Sequence, residues 1–214
     1  MKRLLPFLFF IGFSLFGFSQ LEGIIVEEYQ LTQGEQPLGT TTYRIYADLV
    51  NPTDQLVSCF AILDCYPLEI TNTTDFFNDV VFGGATAAVI NPGLFGFFPT
   101  LEADSWITIG GADMNTPGVG TDLFVAATDP LDPFTPALNT TPGSDLLMND
   151  GAWFTNGLSP LSFPTGPENL ILLGQFTTSG SLCYALNVQV FPDGNNENSL
   201  LYVPEERCSL QRIT

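Results

Sequence analysis

"TTTYRIYADLV" runs from Thr40 to Val50, and "SLCYALNVQVF" from Ser181 to Phe191. In the first, Tyr43, Ile45, Ala47 and Leu49 fall on alternate positions, with Arg44, Tyr46 and Asp48 between them. In the second, Leu182, Tyr184, Leu186, Val188 and Val190 alternate in the same way, and Asn187 and Gln189 are expected to point outward. Successive side chains of a strand leave opposite faces of the sheet, so a period of two describes a strand half buried on a core. These two segments decide the fold class.

Working outward, "IIVEEYQL", "DQLVSCF", "PLEITNTT" and "SWITIG" read as four more strands. "NLILLGQF" reads as another, joined to the Leu182 strand by "TTSGS" as a short hairpin. No segment carries a helical period bounded by caps, and 20 glycines and 16 prolines punctuate the chain. Short strands with turn signals between them predict an all-β fold: one antiparallel β-sandwich, jelly-roll-like, over residues 20–214. Gly111 to Ser162 fits less well, because structureless loops of that length are rare in compact domains. Short strands around Leu123–Ala127 and Ala152–Thr155 are expected there.

The N-terminus has its own signature. Lys2 and Arg3 precede an apolar run from Leu4 to Phe18, closed by Ser19 and Gln20. A basic start, a short apolar centre and a small-residue end form a secretory signal peptide, expected over residues 1–19. The run is shorter than the roughly 20 residues that cross a bilayer, and no later apolar segment reaches that length. The expected location is therefore secreted, extracellular or outer-surface associated.

Charge narrows the partners. All 23 acidic residues lie beyond residue 19, against three cations, Arg44, Arg207 and Arg212, leaving −20. Nucleic-acid affinity comes from Lys and Arg neutralising phosphates, so nucleic acid and anionic membranes are excluded as partners. Solubility in an extracellular medium explains the acidity without a specific ligand, while divalent cations stay compatible with it.

Absent residues exclude chemistries. Without histidine there is no Ser-His-Asp or Cys-His constellation and no His-ligated zinc. Without lysine beyond residue 2 there is no Schiff-base nucleophile in the exported part. Nucleotide-binding glycine loops are missing. Carboxylates remain: Glu27, Glu28, Glu69, Glu102 and Asp104 offer the pairs a glycoside hydrolase needs, though any acidic β-protein supplies such pairs by chance. A hydrolase is the third reading, behind a non-catalytic binding or structural module and a lectin-like carbohydrate-binding domain.

"DGNNEN" places Asp193, Asn195 and Glu197 at alternate positions around a glycine, like the opening of a calcium loop but without its distal bidentate Glu. The same residues make an ordinary polar turn. Asp113 with Asp122, and Asp129 with Asp132, are weaker calcium candidates. Asn72 and Asn139 begin "NTT" acceptors for N-glycosylation. Four cysteines in an exported chain favour disulfides, with three connectivities open. Cys59 and Cys65 lie too far apart along one straight strand and pair only if Phe60–Asp64 turns; that turn is favoured, leaving Cys183 for Cys208.

"INPGLFGFFPTLEADSWITIG", Ile90 to Gly110, concentrates aromatic residues between turn residues. Three readings compete: a membrane wedge, a sugar platform, or a loop folded on its own core. The polyanionic context weighs against the wedge. A sugar platform would use Trp106, Trp153, Phe97 and Phe98 beside carboxylates. Burial of the rings in the core is favoured.

"TYRIYADL", "PLEITNTTDFFND", "INPGLFGFFPTLEADSWITIG", "NDGAWF" and "GQFTTSGSLCYALNVQVFPDG" occur in that order over most of residues 20–214. Together they resemble an uncharacterised extracellular β-domain of secreted and surface proteins in Bacteroidota-type bacteria. The resemblance implies export and a β fold and carries over no catalytic residue. Such domains often sit in large proteins ending in a type IX sorting domain. Here only "SLQRIT" follows Cys208, so attachment by that route is not expected.

Overall fold

The computed structural model describes residues 20–205 and 207. The expected signal peptide, Cys208 and Arg212 lie outside them. Among the described residues, twelve strands form three antiparallel sheets. The first has the order β1 (Leu21–Glu28), β2 (Thr41–Leu49), β9 (Leu170–Thr178) and β5 (Trp106–Ile107). The second runs β10 (Leu182–Ala185), β4 (Leu68–Asn72), β7 (Leu146–Met148). The third runs β12 (Leu200–Tyr202), β11 (Asn187–Phe191), β3 (Gln55–Ala61), β8 (Asp150–Thr155), β6 (Leu123–Asp129). The expected all-β sandwich is what the chain builds.

Alternation places the core where the opening stretch predicts. Tyr43, Ile45, Ala47 and Leu49 of β2 are buried in one cluster with Leu56, Cys59, Leu68, Ile70, Trp153, Leu182, Val188 and Val190, drawn from the other two sheets. Arg44, Tyr46 and Asp48 point away from it and are half-buried. Removing each aliphatic side chain from water contributes about 1.5–3 kcal/mol, which sets the register against one-residue slips.

The second deciding stretch holds two strands rather than one. Leu186 separates β10 from β11, and the chain passes from the three-stranded to the five-stranded sheet there. β3 and β4 make the same passage in the opposite direction, through a turn closed by Ile62 N–H to Tyr66 O and Tyr66 N–H to Ile62 O. Asn187, expected outward, is fully buried at this corner. Its side-chain amide donates to the carbonyls of Phe60, Tyr66 and Pro67, tying the two crossings together. A polar side chain is buried because the corner leaves backbone carbonyls without ladder partners.

The expected hairpin between β9 and β10 does not form. β9 ladders with β2 and β5, whereas β10 ladders with β4, so "TTSGS" links two sheets. Cys59 and Cys65 are separate thiols, contrary to the expected bridge. The chain does turn, but between Ile62 and Tyr66, which leaves Cys59 facing the core from β3 and Cys65 exposed on the turn. Cys183 is buried on β10, and its expected partner Cys208 lies outside the described residues.

The glycine- and proline-rich Gly111–Ser162 region contains the expected β6 and β8. It also holds β7 and two short helices, α1 (Val119–Asp122) and α2 (Phe134–Leu138). Among the described residues no helix is long and apolar enough to cross a membrane.

Candidate functional site

The aromatic stretch turns inward. Ala87–Val89, Pro92–Leu94 and Pro99–Ala103 are short 3-10 turns that fold the loop over the outer face of the four-stranded sheet. Ala87, Ile90, Phe95, Leu101 and Trp106 form a second small core there with Leu172. Trp106 is 1% exposed and Trp153, in the main core, is fully buried. Neither indole can offer a face to a sugar ring, which corrects their expected ligand-stacking role. Trp153 instead donates its Nε1–H to Thr108 O at 3.0 Å. Phe97 does remain outside at 79% exposure, while Phe98 lies against Phe82 with ring centroids 3.9 Å apart.

Two buried carboxylates hold this loop. Glu102 Oε1 accepts from the Tyr29 and Thr32 hydroxyls and the Thr32 N–H, and Oε2 accepts from the N–H groups of Gln33 and Gly34. Burial pushes its pKa up, but the backbone donors of Thr32, Gln33 and Gly34, with the Thr32 hydroxyl, outweigh that and hold it below the usual range. Asp104 accepts from the N–H groups of Asp79 and Gly84. Here burial wins over those donors, and Asp104 is pushed up to about 8. A Cβ at Gly83 would overlap the Asp104 carboxylate, so the backbone can approach it only with glycine there.

The other carboxylates considered for hydrolysis are dispersed. Glu69 faces Arg207 at 3.6 Å, and Glu27 and Glu28 are exposed on β1. The residues considered for calcium are engaged in turns. Asp193 accepts from the Thr53 hydroxyl, Asn195 accepts from the Glu197 N–H, and Asp132 caps Phe134 and Thr135. Asp113 and Asp122 cap their own turns, accepting from the Asn115 N–H and the Thr121 hydroxyl. Among the described residues no group of three or more Cys, Asp or Glu is placed to hold a metal ion.

A cavity lies elsewhere, on the outer face of the five-stranded sheet. It has a volume of about 470 Å3 and is walled by Phe60, Ile62, Phe154, Phe191 and Leu201, with Ser58 and Gln189 as polar members. Strand alternation builds it. Cys59 and Trp153, paired across β3 and β8, face the core, so Phe60 and Phe154 beside them face out. Phe124 on β6 stacks on Phe154 at 5.5 Å and extends the apolar strip to the sheet edge. Among the described residues β6 ladders only with β8, and from Leu123 to Thr128 it carries no charge.

No known protein family, curated protein or solved structure matches the chain. Sequence reasoning missed this face because its phenylalanines sit singly on separate strands, each 30 to 64 residues from the next in sequence. The signal was present in "SCFAI" and "AWFT", where apolar residues occupy both faces of one strand.

Proposed function

We propose that the chain is an exported, non-catalytic binding or structural module of a bacterial envelope or extracellular space, working through the outer face of its five-stranded sheet. The observation that carries this reading is the apolar groove running into the edge of β6, uncharged from Leu123 to Thr128. Natural sheets blunt their edges with charge, proline or cover, and apolar patches left open mark interaction surfaces. An extended segment of a partner could add to β6 through backbone hydrogen bonds while its alternate side chains enter the groove.

The occupant is a protein with an apolar contact strip and a neutral or positive surround. A net charge of −20 beyond residue 19 opposes association with a second copy of the same chain. The signal-peptide layout of residues 1–19 supports export. A passive role is supported by the use of Glu102 and Asp104 as loop anchors rather than as a facing pair in a cleft.

Photo-crosslinking side chains placed at Phe124, Phe154 and, as a control, Phe97 test the reading on cells that export the protein. One partner captured from positions 124 and 154 but not from 97, and no longer bound by purified Phe154→Asp, is the expected result. Equal capture from all three positions, or binding insensitive to Phe154→Asp, contradicts it.

A further inference from the structure

A second, smaller cavity of about 140 Å3 lies beneath the aromatic loop, lined by Tyr29, Gln33, Arg44, Phe95, Trp106 and Gln175 among others. Arg44, Gln175 and Trp106 form one cross-strand row over β2, β9 and β5, which aims three nitrogen-bearing side chains at the same side of the sheet. Arg44 is unusual in this chain. Of the three cations beyond residue 19, Arg207 is paired with Glu69 and Arg212 lies outside the described residues. The Arg44 Nε donates to Gln175 Oε1 at 2.9 Å, and its guanidinium lies 3.5 Å above the Tyr29 ring centroid. Among the described residues, no carboxylate oxygen comes within 4 Å of it, although exposed Glu27 is its neighbour on β1. Its two terminal nitrogens have no protein acceptor among those residues. Beside it, the Trp106 Nε1–H is buried without a hydrogen-bond partner.

The buried side-chain acceptors of Gln175 and Glu102 are engaged. Gln175 Oε1 takes the Arg44 Nε–H, and both Glu102 oxygens together accept five donors. A half-buried guanidinium whose two terminal nitrogens lack acceptors, beside a buried indole N–H without one, leaves donors unmatched at a cost. We infer that this cavity is a binding site for a small monocarboxylate, whose two oxygens meet the terminal nitrogens of the Arg44 guanidinium. A carboxylate matches the planar fork of arginine with two parallel bonds. Glu102, held ionised by its donors, and Asp113 at the rim oppose a dianion such as phosphate, so one negative charge is what the site accepts. The carboxylate belongs either to a free organic acid or to an acidic sugar of an extracellular glycan.

Titration of the purified protein with sodium acetate, galacturonate, galactose or inorganic phosphate at constant ionic strength tests this. The readout is the Trp106 indole N–H resonance, assigned with Trp106→Phe. Acetate and galacturonate are expected to shift it saturably, with galactose and phosphate inert. Tighter binding of galacturonate than of acetate assigns the acidic sugar, and equal binding assigns a free acid. Arg44→Lys, which keeps the charge and loses the fork, should weaken binding at least tenfold. Asp113→Asn, at the partly exposed rim, should tighten it several-fold and serves if Arg44→Lys does not fold. No saturable shift with either carboxylate, an equal response to phosphate, or affinity unchanged in both variants overturns the proposal.

Discussion

The loop from Ile90 to Trp106 and the outer face of the five-stranded sheet are both rich in aromatic side chains but arrive at that by different routes. The loop concentrates phenylalanine, leucine and tryptophan in one stretch, and Phe95, Leu101 and Trp106 fold inward onto the sheet beneath while Phe97 and Phe98 stay outside. The sheet face collects single phenylalanines from β3, β6, β8 and β11; Phe60 is buried among them, whereas Phe124 is exposed and Phe154 and Phe191 are half-buried. Aromatic density along the chain therefore says little about aromatic surface. What decides exposure is whether the side chain's own element has another layer packed over it.

The sharpest test of that contrast is a pair of neighbours. Trp153 and Phe154 are adjacent on β8 and face opposite ways. Trp153→Ala should cost about 3–5 kcal/mol, enough to unfold much of the population. Phe154→Ala should cost no more than about 1 kcal/mol in chemical denaturation, because its site already opens to water. Comparable losses would break the contrast.

Next in size is the anchoring of the loop. Glu102→Ala orphans the N–H groups of Thr32, Gln33 and Gly34 and should cost about 2–3 kcal/mol, with faster amide exchange at those three residues. Acid acts in the same direction. The folded pKa of Glu102 is lowered, so its contribution is present above the unfolded value of about 4.3 and is lost as pH falls through the lower folded one. Asp104 behaves oppositely. Its folded pKa of about 8 exceeds the unfolded value of about 3.9, so the folded state holds a proton that the unfolded chain has released. Stability should then decline as pH rises from about 4 to 8 and level off above. Thermal melts over that range should show this slope, and Asp104→Asn should flatten it.

Smaller effects separate the exposed from the buried members of similar pairs. Phe97→Ser should leave stability within about 0.5 kcal/mol, whereas Phe95→Ser, in the small core, should cost several-fold more. Iodoacetamide should label Cys65 in the native protein and reach Cys59 only after unfolding. The Cys59 thiol is fully buried, and its pKa is raised well above the ordinary value by that burial.

Much of the fold was legible in the sequence because alternation leaves a record in every half-buried strand. β2 is the clearest case, with all four expected core residues buried. Which strands pair was not legible. β9 and β10 are separated by a hairpin-like "TTSGS" yet belong to different sheets, since their hydrogen-bond partners lie more than 100 residues upstream in β2 and β4. The polarity of Asn187 and its place in an alternating run point it outward. At a corner between sheets the period resets, and an amide that satisfies three carbonyls is worth burying. The candidate sites were less legible still. Trp106 and Trp153 attracted attention as aromatic side chains, but their rings serve cores. Arg44 carried the better signal, as one of only three cations beyond residue 19 and the one set between two tyrosines in a strand.

Hydroxyl-radical footprinting of the native protein, resolved by residue, measures the contrast between loop and sheet face in one experiment. Phe97, Phe124 and Phe154 should be oxidised while Trp106 and Trp153, intrinsically more reactive rings, stay protected until the protein unfolds. Oxidation of either tryptophan as fast as Phe97 would mean that the loop does not close over the sheet, and that the division between buried loop and open face is wrong.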